Sequence, residues 1–261
     1  MNKMYHTDHT GEFNLLKDKL LVNNVIYLFG YGSLLWKVDF EYTKKIHGFV
    51  KSYRRNFWLL SDDHRGTPNN MGRVVTLVKS ENDEDKVYGI AYEIHSDNME
   101  KTFENLHFRE KCGYSLKEVT FYPKSDSECK PISCVCYYAN EDNSYYSPSE
   151  DLSLISAQIY KSIGPSGTNK EYLYNLCHAL RHLLRNDNEK CENDEFNEIF
   201  KQESHLFLLE TMILFKLRAQ KRQFRKQTLN YRQRAQSKNY HLLIIDYQPF
   251  SNISPSLSFQ S

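Results

Sequence analysis

Four short stretches of this sequence place side chains or bare backbone where chemistry can happen. The first is Gly30-Tyr31-Gly32-Ser33, which interrupts an apolar, β-prone run from Val25 to Phe29 and leads into Leu34-Leu35-Trp36. Two glycines within three positions remove side chains that would block an approaching ligand. Successive main-chain N–H groups in such a loop can form a nest for a carboxylate. The spacing fits neither Gly-x-Gly-x-x-Gly nor the Gly-x-x-x-x-Gly-Lys loop, so neither nucleotide fingerprint is present. Taken alone, a plain structural turn is the preferred reading.

The second stretch is Leu106–Tyr114 (LHFREKCGY), with Glu110 between Arg109 and Lys111 at the expected end of a helix. A carboxylate there meets the unfavourable end of the helix dipole. Burial would raise its pKa further, toward values suited to acid–base work. From spacing alone an exposed charged turn is preferred. The third stretch, Asp62-Asp63-His64-Arg65-Gly66, offers three oxygen or nitrogen ligands on a loop. That is a weak metal or phosphate signal, and solvated loop polarity is the preferred reading. The fourth is a basic run of nine Lys or Arg from Lys216 to Lys238, with no Asp or Glu among them and Phe224 and Tyr231 interleaved. It suits phosphate gripping, but a solvated helical face is preferred. Serines are numerous, yet none sits in Gly-x-Ser-x-Gly, which disfavours a serine hydrolase.

The elements that must position these groups follow from pattern. The chain has 261 residues, 40 % hydrophobic and 14 % aromatic, enough for a sizeable core. A net charge of +1 gives no overall field for nucleic acid. The six cysteines form no Cys-x-x-Cys pair. Cys134 and Cys136 share one face of a β-like run and read as buried free thiols. No secretory signal and no membrane-length apolar stretch is visible, so a cytosolic setting is expected.

Residues 1–24 read as a polar leader with a short amphipathic piece from Phe13 to Leu21. Strand character covers Ile46–Leu60, Gly72–Lys79 and Lys86–Ile94; the last is apolar on both faces and is expected to be central. Ser96–Arg109 reads as a helix ended by Gly113. Tyr114–Tyr122 and Ile132–Ala139 return to strand. Asp151–Ile163 is helical, Gly164–Gly167 breaks it, and Thr168-x-x-Glu171 opens a further helix as a capping box. Residues 186–198 are Asn- and acid-rich, a linker before a helical, increasingly basic segment. No repeat is present, and the order favours an α+β fold over a doubly wound sheet. The expected division is a leader (1–24), a catalytic domain (25–217) and a basic, helical or disordered extension (218–261).

Seven motifs occur in one order: FGYGSLLWKVDFEY, YRRNFW, DHRGTP, GRVVTLV, VYGIAYEI, FREKCGY and GPSGTNKEYL. Together, over about Val25–Arg185, they resemble the ChaC family of glutathione-specific γ-glutamylcyclotransferases. The resemblance implies a γ-glutamylcyclotransferase-like α+β fold around a small mixed β-barrel with flanking helices. It implies conversion of glutathione to 5-oxoproline and cysteinylglycine. It places the acid–base glutamate on Glu110 and the substrate loop on Gly30, Tyr31, Gly32, Ser33, Leu34 and Leu35. The family's Tyr-Leu-Gly-Pro stretch becomes Tyr146-Ser147-Pro148-Ser149, so only Tyr146 carries over as substrate-binding. His107 stands where the family tends to have Asp, and the tail beyond about Leu217 has no counterpart. No metal or redox cofactor is implied, and glutathione is the expected small-molecule partner. A membrane partner is not expected, and nucleic acid is disfavoured, residues 216–238 being the one hint. Two alternatives stand beside this reading. One is a non-catalytic γ-glutamyl-binding protein whose basic tail takes RNA or acidic membranes; the other is a cyclotransferase for other γ-glutamyl amines.

Overall fold

Alternating and doubly apolar runs need partners on both sides, and a short sheet of such strands satisfies its edges by closing on itself. A computed structural model shows this; it describes residues 10–109, 113–124, 130–184 and 204–237. Five strands form a closed barrel: β1 (Val25–Gly30), β5 (Lys86–His95), β2 (Lys44–Lys51), β6 (Ser115–Pro123) and β7 (Ile132–Tyr138), in that spatial order. All neighbours pair antiparallel except β7 and β1, which close the barrel in parallel at Leu28 and Val135. β5 lies between β1 and β2 and is buried along most of both faces, as its doubly apolar pattern demands. Ile26, Leu28, Val50, Ile94, Phe121 and Val135 fill the core.

The β-rich run from Ile46 to Leu60 divides in two. Ser52 takes a positive φ of 61° and turns the chain. β3 (Tyr53–Ser61) then pairs with β4 (Gly72–Lys79) as a separate hairpin, whose register slips between Asn56 and Leu59. Arg73 of β4 is buried and donates to the carbonyls of Phe57 (2.9 Å) and Ser147 (2.8 Å) and to the side-chain oxygen of Gln158 (2.6 Å). Burial lowers its pKa.

Helices flank the barrel. α1 (Thr10–Leu20) falls in the expected polar leader, yet Phe13 is 3 % exposed and stacks on Phe103 of α2 (Ser96–Arg109), with ring centroids 4.2 Å apart. α3 (Leu152–Lys161) is capped by Asp151, whose carboxylate accepts from the Ser153 and Leu154 amides. A two-residue hairpin, β8 (Ile163–Gly164) with β9 (Gly167–Thr168), leads to α4 (Asn169–Leu184). Leu173, Leu176, Cys177 and Leu180 of α4 are fully buried. Cys134, Cys136 and Cys177 are free thiols.

The last described helix, α5, spans Ser204–Ser237. The chain divides into two units, Met1–Leu214 and Phe215–Ser261. Within the second, Arg218, Lys221, Arg222 and Arg225 follow helical spacing along one exposed face. Among the described residues, no helix is long and apolar enough to cross a membrane.

Candidate active site

The strand β1 stops at Gly30, and its continuation crosses the end of the barrel as a loop and one 3₁₀ turn, Ser33–Leu35. Three bonds fix this crossing. The Tyr31 hydroxyl donates to the Tyr137 carbonyl (2.9 Å), and the Leu35 amide donates to the Gly32 carbonyl (3.0 Å). The Tyr92 hydroxyl donates to the Leu34 carbonyl (2.7 Å), and burial pushes the Tyr92 pKa well up, so it stays a donor.

Two cavities lie beside the loop. The smaller, about 40 Å³, has Tyr31, Gly32, Ser33 and Leu34 on its wall, faced by Tyr114, Tyr137 and Tyr172. The larger, about 120 Å³, is lined by Ser33, Trp36 and Lys37 and, opposite them, by Ser61, His64, Arg65, Arg109 and Ser166. Ser33, Tyr114 and Tyr172 belong to both, so the two adjoin. A side chain at position 32 would fill the small cavity: a Cβ there would stand 3.2 Å from the Tyr172 hydroxyl oxygen and 3.3 Å from Val75 Cγ2. Tyr172 is held in turn, edge-on to Trp36 at 5.2 Å and to Phe57 at 5.9 Å, and the Tyr114 hydroxyl is bound to the Val75 carbonyl (3.0 Å).

The wall of the larger cavity comes from the loop between β3 and β4, against solvated-loop expectations. That loop is threaded under the β8–β9 hairpin with no room for side chains. A Cβ on Gly164 would meet the His64 carbonyl oxygen at 2.2 Å, and one on Gly66 would meet the Gly72 nitrogen at 2.1 Å. The Ser166 amide donates to the His64 carbonyl (2.9 Å), and buried Ser61 accepts from the Arg65 amide (3.0 Å). His64 Nε2 donates to the Arg109 carbonyl at 2.9 Å; a carbonyl only accepts, so this nitrogen carries the proton. In the neutral ring Nδ1 then accepts from Ser166 Oγ at 3.1 Å. Asp62 accepts from the Tyr145 hydroxyl (2.7 Å) and Asp63 Oδ2 lies 3.8 Å from His64 Nε2; among the described residues no three such side chains gather as metal ligands.

The cleft is cationic. Arg109 at the end of α2 pairs with Asp39 and reaches Ser33 Oγ at 3.5 Å. Arg65 pairs with Glu171 of α4 at 3.3 Å, which draws the expected capping-box carboxylate sideways, although Thr168 Oγ1 still accepts from the Glu171 amide (3.2 Å).

The expected site residues divide as follows. Ser33 lines both cavities, and Tyr31, Gly32 and Leu34 line the smaller. Gly30 and Leu35 line neither but hold the loop; a Cβ on Gly30 would press on Leu34 Cβ at 2.8 Å. Tyr146 pairs with Leu59 across a β-bridge, its ring edge-on to Trp58 at 6.0 Å, and it lines neither cavity. Glu110 lies outside the described residues; α2 ends at Arg109, and Gly113, the next described residue, has φ of 73°. His64 and Arg65 stand in the stretch read as a weak metal or phosphate signal and instead line the larger cavity; Tyr114, Ser166 and Tyr172 carry no signal in their spacing, although they fall in the quoted motifs FREKCGY and GPSGTNKEYL.

Comparison with known proteins gives one consistent result. A family model described as ChaC-like protein matches residues 26–203. Glutathione-specific γ-glutamylcyclotransferase 1 of Homo sapiens is 40 % identical over 158 residues, covering 60 % of this chain and 70 % of that protein. The glutathione-specific γ-glutamylcyclotransferase of Schizosaccharomyces pombe is 34 % identical over 170 residues, covering 60 % and 84 %. A crystal structure of the yeast γ-glutamyl cyclotransferase specific to glutathione superposes with a TM-score of 0.61 at 25 % identity, covering 74 % of this chain and 99 % of that one. From the matched residues, the barrel and the glycine loop at its mouth, the chain belongs to the ChaC-like family.

Proposed function

We propose that this protein is a γ-glutamylcyclotransferase that cleaves glutathione into 5-oxoproline and cysteinylglycine. The observation that carries the reading is the cavity beside bare Gly32, adjoining a wider cleft lined by Lys37, Arg65 and Arg109, in a chain of the ChaC-like family. Relatives at 34–40 % identity bear this activity in their names.

The chemistry asks little beyond positioning and proton transfer. The α-amine of the γ-glutamyl group attacks its own γ-carbonyl carbon. A five-membered lactam closes, the bond to the cysteinyl nitrogen breaks, and that nitrogen leaves with a proton. Because nucleophile and electrophile share one molecule, holding a near-attack conformer supplies much of the rate. Near pH 7 the amine is mostly ammonium, so a base must first remove a proton; Glu110 is assigned this role and returns the proton to the leaving nitrogen. The main chain of residues 31–34 holds the γ-glutamyl end and offers N–H donors to the developing oxyanion. Gly30 and Leu35 keep that main chain in place. Tyr146 is assigned to the outer support of the β3–β4 hairpin rather than to substrate. The reading includes a reducing, cytosolic setting, in keeping with the free thiols of Cys134, Cys136 and Cys177. Residues 218–261 are taken as an extension outside the catalytic domain.

Incubation of the purified chain with glutathione, followed by mass spectrometry, tests the reading. Equimolar 5-oxoproline and cysteinylglycine are expected. Hydrolysis to glutamate, or no turnover, would contradict it.

A further inference from the structure

The larger cleft holds a guanidinium that is built in place and, among the described residues, only half used. Arg65 lines it with its side chain 11 % exposed. Its Nη1 donates to the Thr168 carbonyl (3.1 Å) and to the Glu171 carboxylate (3.3 Å), and its Cζ lies 5.8 Å from the centre of the Tyr172 ring. Those two bonds use both protons of Nη1. Among the described residues, nothing accepts from Nε or Nη2. A planar guanidinium fixed on one edge and free on the other is the fork that binds a carboxylate with two parallel hydrogen bonds. Arg109, the other guanidinium of this cleft, is committed to Asp39. Lys37 adds an ammonium with no carboxylate partner among the described residues.

We infer that Arg65, assisted by Lys37, is the subsite for the glycyl carboxylate of glutathione; this rests on the cyclotransferase reading above. The arrangement of the two cavities sets the direction. The small one, beside Gly32, takes the γ-glutamyl end, where a bare backbone suits close approach. The peptide then passes Ser33, Tyr114 and Tyr172, which both cavities share, and its far end reaches the cationic wall. The glycyl carboxylate is the anion at that end. Recognition there separates the tripeptide from γ-glutamyl amines that lack it, and it makes Arg65 a specificity-determining residue. Arg65 sits on a loop pinned by Gly66 and Gly164, so the fork costs little to order when the ligand arrives.

The test compares kcat/KM for glutathione with kcat/KM for its glycinamide analogue, in which the C-terminal carboxylate is a carboxamide. A charge-assisted pair implies a preference of about 10- to 100-fold for glutathione in the wild type. Arg65→Met is expected to bring the ratio near unity, and Arg65→Lys, which keeps charge without the fork, to an intermediate value. Arg65 also ties β9 and α4 to its loop, so Lys37→Met serves as the second variant; a fall in the ratio of about 3-fold or more is expected. A wild-type ratio near unity, or a ratio unchanged in both Arg65→Met and Lys37→Met while glutathione is still cleaved, overturns the subsite alone. Absence of glutathione cleavage by the wild type overturns the reading on which it rests.

Discussion

The imidazole Nε2 of His64 and the carbonyl oxygen of Arg109 lie 2.9 Å apart, joining the β3–β4 loop to the last residue of α2. The final carbonyls of a helix have no partner within the helix, and here one is satisfied from a residue 45 positions away. Arg109 directly precedes Glu110 in the chain. His64 thus fixes the peptide from which the assigned proton carrier follows.

His64→Ala is expected to lower kcat by about 5- to 10-fold, the scale of one net hydrogen bond to a positioned group. His64→Gln keeps an N–H donor and is expected to recover part of the rate. Steady-state cysteinylglycine release checks both; an unchanged kcat in His64→Ala would remove this link from the mechanism.

Gly32→Ala probes the cavity beside the loop. The added Cβ meets the Tyr172 hydroxyl and Val75 at 3.2–3.3 Å, close enough to require only small shifts. Folding is expected to survive with a change of about 1 kcal/mol or less, while the γ-glutamyl end loses its space. Thermal unfolding and glutathione turnover measured on the same sample separate the two; a Tm near wild type with turnover down by about 100-fold is expected, and normal turnover would contradict the assignment.

Much of this arrangement is written in local pattern, and some of it is not. The doubly apolar Lys86–His95 strand announces a central position, and it lies between β1 and β2. The glycine loop after Phe29 announces bare backbone, and its wall lines a cavity. Barrel closure between β7 and β1 is a contact between residues 107 positions apart, Leu28 and Val135, which no local periodicity encodes. The Asp62–Gly66 loop reads as solvated because each residue is polar. Its placement depends on Gly164 letting the β8–β9 backbone meet that of His64 and Gly66, about 100 positions away, and that is visible only when both are seen together. Tyr146 is carried over by motif match alone; its bridge to Leu59 and its ring edge-on to Trp58 are contacts between residues some 87 positions apart that the motif does not encode. The leader was legible as amphipathic, but the stacking of Phe13 on Phe103 that docks it is a long-range contact.

Arg73 carries a stability prediction. It is 4 % exposed and supplies hydrogen bonds to Phe57, Ser147 and Gln158, joining the hairpin, the 145–149 segment and α3. Arg73→Met takes the donor from the buried Phe57 carbonyl and from the half-buried Ser147 and Gln158 oxygens. A loss of about 2–4 kcal/mol is expected, read as a lower urea midpoint. A midpoint within about 0.5 kcal/mol of wild type would show that the network is not structural.

Acid lability should trace in part to His205. Burial pushes its pKa down to about 4, and in the folded state its ring donates from Nε2 to the Arg55 carbonyl at 2.6 Å. The unfolded chain takes up this proton near pH 6.5 and the folded chain near 4, so the unfolded state binds more protons in between. Stability therefore falls as pH drops from about 6.5 toward 4, by about 2 kcal/mol between pH 7 and pH 5 from this group. Urea titrations across that range are expected to show a shallower slope in His205→Gln; an identical slope would assign the acid sensitivity elsewhere.

The proton carrier is the centre of the account, and Glu110→Gln tests it most directly. The change preserves shape and removes the base. With folding verified by an unchanged Tm, cysteinylglycine release from glutathione is expected to fall by at least about 100-fold, the lower range for a general acid–base group. A folded Glu110→Gln that cleaves glutathione at the wild-type rate would contradict the mechanism.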